Sequence, residues 1–312
     1  MNMAMTTAAP TEAHHGLRLP DILAAAMINI FWGLNIVAVK MSVMATAPFT
    51  AAFLRQFVVL LVCLPFLRIV PGRMRALLAV GVILGPGFLI AVNLSLLVSD
   101  NLPALAIAGQ LGVPFALILA VIFLRERIAL PRLLGIAFSF FGVVILVFDP
   151  AAGRELPGLL LTALASLLWA MASLLQRQLA GVSVLTICAW IGLIGSAILC
   201  PIAFFAEPET VANLPLLPLG DFGWIMFSAI GSTVLGQGGM AWLLQRHPIS
   251  SVTPLTLASP VIAIMASSYF FGTVLTPVMI AGGMVAMTGV AIITIRSAHK
   301  IDARPAWGGG RK

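Results

Sequence analysis

Charged residues are scarce in this chain: they make up 9% of its 312 residues, whereas hydrophobic residues make up 61%. A soluble domain carries about 25% charged residues, so an ordinary soluble fold is excluded. The three cysteines, Cys63, Cys188 and Cys200, lie in apolar segments and lack the spacing of a metal site. We interpret them as small buried hydrophobic residues and predict no metal and no cofactor.

Catalytic side chains are also missing from the apolar segments. No Asp or Glu lies in the interior of a segment, no HExxH motif occurs, and the four His lie in predicted loops or tails, at His14, His15, His247 and His299. An intramembrane serine protease needs a His near its Ser, and a metalloprotease needs its metal ligands. We therefore predict no enzymatic activity. A proton relay would normally use a buried carboxylate or His, so an obligatory intramembrane relay is not expected.

Apolar runs of helix length fill most of the sequence, and the mean hydropathy is +1.12. A membrane-spanning helix needs about 20 apolar residues, whereas strands of a membrane barrel would show short alternating segments. The pattern predicts an all-α membrane protein with ten transmembrane helices. The predicted spans lie at 21–40, 48–67, 76–98, 103–124, 132–148, 157–176, 184–205, 222–243, 252–271 and 277–295.

Lys and Arg are distributed unevenly about these spans. Of the 17 Lys and Arg residues, all but Lys40, Arg55 and Arg154 fall in the tails or in the loops on one side. Cytoplasmic loops carry the Lys/Arg excess, so we predict cytoplasmic termini in a multi-pass protein of the bacterial inner membrane. The net charge of +7 reflects this topology, so we expect contact with the lipid bilayer and no nucleic-acid partner.

The two halves of the chain resemble each other. Trp32 and Lys40 recur as Trp169 and Arg177 at the same offset, and four prolines recur in order. Five spans in each half predict an inverted repeat, an architecture of secondary transporters that work by alternating access. The predicted divisions are a cytoplasmic N-tail 1–20, a first repeat 21–148, a periplasmic linker 149–156, a second, inverted repeat 157–295 and a basic cytoplasmic C-tail 296–312.

Two stretches resemble the EamA-type transporters of the drug/metabolite transporter superfamily. Residues 123–128 read Phe-Leu-Arg-Glu-Arg-Ile and lead into a Gly-Val-Val-Ile-Leu-Val run at 142–147, similar to that family's junction between helices four and five. Residues 31–35, Phe-Trp-Gly-Leu-Asn, with the following Lys40, are similar to its first helix. Over its whole length the chain also resembles the bacterial YddG-type exporters of aromatic amino acids, a resemblance of overall sequence and not of one diagnostic motif.

The resemblance implies a bundle of five plus five helices with a central cavity, lined by helices one to four and six to nine. It also implies export of small molecules, with amino acids, including aromatic and large apolar ones, as the expected substrates. Proton-coupled export of lipophilic drugs, cations or other metabolites is the alternative. The junction residue Glu126 has no counterpart in the second half, where residues 270–273 read Phe-Phe-Gly-Thr, so two symmetric Glu gates are not expected.

Two cations and several neutral side chains are the candidates for a binding site. Arg55 inside span two and Lys40 at the end of span one could hold a substrate carboxylate, or could extend to the headgroups. Polar stripes could face a cavity or bond between helices, and the mid-span tryptophans could stack on a substrate or pack in the core. The residues expected to line the cavity are Trp32, Asn35, Arg55, Asn93, Gln110, Trp169, Ser173, Gln237, Thr256 and Ser259.

A second set of residues is expected to serve gating or structure: Lys40, Pro114, Glu126 and Pro260. Pro interrupts a helix and allows it to bend, which suits a moving bundle. The glycines of spans five and ten, Gly135, Gly142, Gly282 and Gly283, could support a dimer or pack within one chain, so the sequence leaves the oligomeric state open.

Overall fold

The computed structural model describes residues 18–125, 129–150, 154–244, 246–247 and 252–302, and all regular structure there is helical. The helices of the first half are α1 Leu19–Thr46, α2 Pro48–Phe66, α3 Met74–Leu97, α4 Leu102–Phe123 and α5 Leu130–Val147. Those of the second half are α6 Leu156–Leu179, α7 Val184–Ala206, α8 Leu219–Leu244, α9 Leu255–Phe271 and α10 Pro277–Asp302. Among the described residues, nine of the ten are long and apolar enough to cross a membrane, and α9 is shorter. The tenth membrane span therefore stays a prediction.

The first helix is longer than the sequence predicted. Span one was expected to end at Lys40, but α1 continues to Thr46 and α2 begins at Pro48, directly after Ala47. The hydroxyls of Ser42 and Thr46 each donate to the carbonyl four residues earlier, at 2.7 and 2.9 Å. These bonds satisfy the polar side chains inside the helix, so they need no exit to solvent.

Helix α2 is held at its start by an acid from the far half of the chain. The Glu207 carboxylate follows α7 and accepts the backbone N–H groups of Phe49 and Thr50 at 2.9 and 2.7 Å, and the Thr50 hydroxyl at 2.7 Å. The first N–H groups of a helix have no partner within it and favour negative charge. The hydrogen bonds of Glu207 therefore join the end of α7 to the start of α2.

Irregular turns occur at corresponding places in the two halves. A π-helical segment interrupts α3 at Ile83–Gly87 and α8 at Phe227–Gly236. A 3-10 turn lies at Gly109–Leu111 in α4 and at Thr253–Leu257 at the start of α9. These interruptions follow the Pro- and Gly-rich parts of the sequence, and their shared positions agree with the duplication.

The helix contacts also correspond between the halves. Helix α1 packs along α9 and α8, as α6 packs along α4 and α3, and α2 packs on its counterpart α7. This is the contact pattern of a repeat related by a twofold axis.

Helices α5 and α10 form a close pair through glycines. A Cβ atom on Gly142 would lie 2.3 Å from the backbone nitrogen of Ala286, and one on Gly289 would lie 2.5 Å from that of Ser139. Gly135 and Gly282 face the same seam, and a Cβ atom on Gly283 would lie 3.0 Å from Ile107 of α4, so all four glycines considered for a dimer pack within the chain. Small residues let the two backbones approach, which strengthens packing where no hydrophobic effect operates between helices.

Candidate functional site

A cavity of about 370 Å³ lies between α1, α3, α4, α6 and α9. Ligand pockets for small molecules measure about 300–1,000 Å³, so this space can hold a metabolite the size of an amino acid. Six of the residues singled out from the sequence lie in its wall: Trp32, Asn35, Gln110, Trp169, Ser259 and Pro260.

The two repeat-related tryptophans have different roles in the wall. The indole N–H of Trp32 donates to the carbonyl of Ser232 at 3.2 Å, and its ring lies against Gly236, where a Cβ would come within 2.4 Å of the indole nitrogen. Trp169 packs over Gly112 and keeps 40% of its surface exposed. Trp32 is therefore fixed, whereas the Trp169 ring presents an open face to the cavity.

Neutral polar groups complete the wall. The hydroxyls of Ser95 and Thr162 lie 2.9 Å apart and link α3 to α6, and the Ser166 hydroxyl donates to the Gly109 carbonyl at 3.2 Å. The described lining residues include no Asp, Glu, His, Lys or Arg. Sequence reasoning missed Ser95 and Thr162 as lining residues. Thr162 could have been found, because it extends the stripe of Ser166 and Trp169 by one helical turn.

Proline shapes the cavity at equivalent places. Pro260 lines the cavity in α9, and its repeat partner Pro114 is buried in α4. Each follows the 3-10 turn of its helix, and Pro lacks the N–H that would bond to the carbonyl four residues earlier. The carbonyls of Gln110 and Thr256 therefore lose this helical partner beside the cavity.

Three other expected lining residues lie outside the cavity wall. The Ser173 hydroxyl donates to the Trp169 carbonyl of its own helix at 2.8 Å, Gln237 is exposed and Thr256 is half-buried in the 3-10 turn of α9. For Gln237 the cause is the π-helical segment that precedes it. A π-helix changes the register, so a face assigned with a period of 3.6 residues no longer applies.

Arg55 and Asn93 also differ from the prediction, because they line a separate space of about 10 Å³ with Ser42 and Ser228. Asn93 donates to the Pro48 carbonyl at 2.8 Å, and the Arg55 guanidinium donates to the Thr233 hydroxyl at 3.0 Å. The space is large enough for about one water molecule. The two residues are thus brought together, but they are shut off from the main cavity.

Lys40 lies near one end of the bundle, which we call the Lys40 end. Its side chain is buried, and its ammonium donates to the carbonyls of Leu96 and Ser99 at 2.7 and 2.8 Å. The exposed carboxylate of Asp100 lies 3.5 Å away. Lys40 therefore holds α1 against the end of α3. Glu126, the remaining gating candidate, lies outside the described residues.

The opposite end of the bundle, which we call the Arg177 end, is more open. At the Lys40 end, the lining residues Val39, Leu96 and Leu105 are at most 4% exposed. Toward the Arg177 end, Arg177 itself is exposed, as are Gln237 and 40% of Trp169. A Cβ atom on Gly238, the repeat counterpart of buried Asn93, would have no neighbour within 4 Å. The cavity is therefore closed at the Lys40 end, and its most exposed lining ring, that of Trp169, lies toward the Arg177 end.

Comparison with known proteins agrees with this architecture. The sequence profile of the EamA-like transporter family matches residues 19–148 and 156–295. A probable amino-acid metabolite efflux pump of Escherichia coli is 26% identical over 291 residues, which cover 87% of this chain and 94% of the relative. An uncharacterized transporter of Archaeoglobus fulgidus is 27% identical over 281 residues, with 87% and 97% coverage. A protein of known crystal structure shares the fold at 15% identity, with a TM-score of 0.58 over 92% of this chain and all of that one.

Proposed function

Because the chain belongs to the EamA-like transporter family of the drug/metabolite superfamily, we propose that it exports amino acids. As a member of that family it is a multi-pass membrane transporter and not an enzyme. The substrates include aromatic and large apolar amino acids and related small metabolites. Relatives named as probable amino-acid metabolite efflux pumps support this substrate class. A further specialisation toward aromatic substrates of the YddG type is part of the proposal.

The cavity is the observation that carries the proposal. Its wall combines an accessible Trp169 ring with the neutral groups of Asn35 and Gln110. An apolar or aromatic side chain can stack on the indole, because aromatic pairs favour offset or edge contacts. Since no fixed charge in the described wall demands one partner, the cavity suits several substrates of similar size.

Alternating access is the proposed mechanism. Because the two halves make matched helix contacts, we propose one gate at each end of the bundle. The closed Lys40 end is proposed to mark one of the two expected states, the one in which the Arg177 end is open. Closing the Arg177 end as the Lys40 end opens would carry a bound molecule across the membrane.

Orientation follows from the distribution of Lys and Arg. Most basic residues flank the Arg177 end, so we propose that this end is cytoplasmic, that both tails lie there, and that the membrane is the bacterial inner membrane. We therefore propose that the cavity opens toward the cytoplasm, where an exporter collects its substrate. The shorter helix α9 is proposed as the tenth span.

The described cavity wall offers no group that changes its charge near neutral pH, so we propose facilitated export without an intramembrane proton relay. The test is uptake of labelled Phe, Trp, Met, Thr, Lys and Glu by proteoliposomes, with and without a pH gradient. Uptake of several amino acids without a gradient supports the proposal. Uptake of lipophilic cations alone, only with a gradient, would replace it with proton-coupled drug export.

A further inference from the structure

Arg55 has a charge that the described part of the chain does not balance. It lies within α2, and its guanidinium has one side-chain hydrogen bond, to the neutral hydroxyl of Thr233. Lys40 pairs with Asp100 and His247 with Asp21, and Arg55 takes part in neither of these ion pairs of the described residues. A charge inside a membrane span is costly, so it marks a functional position unless the chain supplies a partner.

Asn93 offers the opposite chemistry across the same small space. Its amide nitrogen is engaged by the Pro48 carbonyl, which fixes the amide so that its oxygen faces away from that bond. The oxygen is buried and has no hydrogen-bond partner, in a residue that is 2% exposed. A buried acceptor without a donor costs about 1–3 kcal/mol, so a ligand that supplies an N–H group would be stabilised there.

We propose that Arg55 and Asn93 form a binding site for the zwitterionic head group of an α-amino acid. The guanidinium takes the carboxylate through charge-assisted hydrogen bonds, and the Asn93 oxygen accepts from the ammonium. The proposal rests on the proposed function and names the groups that would recognise an amino acid. The substrate side chain would extend into the main cavity, because Val39 lines both spaces.

The head-group site is closed in this structure for an identifiable reason. Its walls are the second half of α1, the start of α2, the second half of α3 and the first half of α8. These same segments close the Lys40 end through the Lys40 and Asn93 bonds to carbonyls. Opening that end separates the walls and joins the site to the cavity. The site also has a hydrogen-bonded link to the cavity wall, since Ser228 donates to Asn35 at 2.8 Å.

The experiment compares three labelled ligands in proteoliposomes: phenylalanine, phenylalaninamide, which lacks the carboxylate, and 3-phenylpropionate, which lacks the ammonium. Arg55→Gln should reduce uptake of phenylalanine and phenylpropionate about tenfold or more and spare the amide. Asn93→Ala should reduce phenylalanine and the amide and spare phenylpropionate. Arg68→Gln, at an exposed position two residues beyond the end of the same helix, is the matched control and should change none.

This crossed pattern separates binding from a structural role. If both variants lose all three ligands equally, or lose none, the head-group site is wrong, even where the wild type transports phenylalanine as proposed. If the wild type transports none, the inference is decided by binding of phenylpropionate to purified Lys40→Met protein. This variant lacks the Lys40 bonds to carbonyls and is expected to open the Lys40 end. If phenylpropionate binds and the added substitution Arg55→Gln abolishes the binding, the carboxylate site stands although the proposed amino-acid export does not. If phenylpropionate does not bind, both the site and the proposed export are wrong.

Discussion

Replacing Lys40 with Met should release the Lys40 end of the bundle. The ammonium donates to the Leu96 and Ser99 carbonyls from a side chain that is 8% exposed, and both bonds join α1 to the end of α3. Met retains much of the apolar stem and removes the charge. Each hydrogen bond to a charged group contributes about 1.5–3 kcal/mol, so two bonds favour the closed end by about 3 kcal/mol or more.

A shift of about 3 kcal/mol changes the ratio of closed to open molecules about a hundredfold. A population that is about 99% closed would become about half open in the variant. The distance between spin labels on the two sides of the end reports this directly. Exposed Arg154, before α6, and Leu219, at the start of α8, are suitable label positions after replacement with Cys in a background without the three native cysteines.

Asp100→Asn is the matched control, because it removes only the 3.5 Å ion pair to a carboxylate that is 98% exposed. Exposed pairs contribute about 0–1 kcal/mol, so the distances in this variant should stay close to those of the wild type. If Lys40→Met shows the same distance distribution as the wild type, Lys40 does not hold the end closed. If Asp100→Asn opens the end as much as Lys40→Met, the exposed ion pair and not the carbonyl bonds closes it.

Three further outcomes are expected. Trp169→Ala should raise the KM for phenylalanine about two- to tenfold, because it removes the exposed ring. Trp169→Phe should recover most of the loss, and Trp190→Ala, at a remote Trp, should leave the KM unchanged. Equal KM values for all three variants would show that Trp169 does not contact the substrate. Gly142→Leu should destabilise the purified protein by about 1–3 kcal/mol in thermal unfolding, because the added side chain meets the α10 backbone. Gly223→Leu is the control, because a Cβ atom there has open space. Equal melting temperatures for the two variants would contradict the close pairing of α5 and α10. A reporter fused after Lys312 should be active in the cytoplasm, and a periplasmic signal would reverse the proposed orientation.

The helical architecture could be predicted because a membrane imposes a simple rule on sequence. Each span must satisfy its own backbone and bury apolar side chains, so its position can be read from hydropathy. The duplication could also be read, because Trp32 and Trp169 recur at matched positions with the basic residues that follow them. The family profile confirms the repeat by matching the chain twice.

Register within the helices was harder to predict. A face assigned at 3.6 residues per turn brings Thr233 and Gln237 together, but ten residues of π-helix lie at Phe227–Gly236. Gly231 and Gly236 in that segment accept close contacts from Phe31 and Trp32. The π-helical turns thus coincide with the packing of α1 against α8, and a pattern within one helix does not contain that information.

For the two cations, Arg55 and Lys40, the sequence indicates that they are charged residues in or near spans, but it does not indicate their partners. The sequence gives Arg55 and Lys40 as costly residues in or near spans, each with a functional and a structural reading. Lys40 finds carbonyls at the end of α3, which the sequence could not indicate because the partners are backbone atoms. Arg55 finds only a hydroxyl in the described residues, so its charge remains for a ligand to balance.

The halves are not equivalent in chemistry, although they are equivalent in fold. At the repeat offsets of α2 and α3, Arg55 corresponds to Ile191 and Asn93 to Gly238, so the proposed head-group site exists once and belongs to the Lys40 end. A head-group site that is accessible only from the Lys40 end strengthens the binding of substrate from that end. Without a coupling ion it cannot change the overall equilibrium, because a ligand shifts populations only by its differential affinity for the two states. Any gain in affinity at the Lys40 end is therefore matched by slower release there. Net export through this chain would then follow the concentration of amino acids inside the cell, and the one-sided site would set the rate at which they leave.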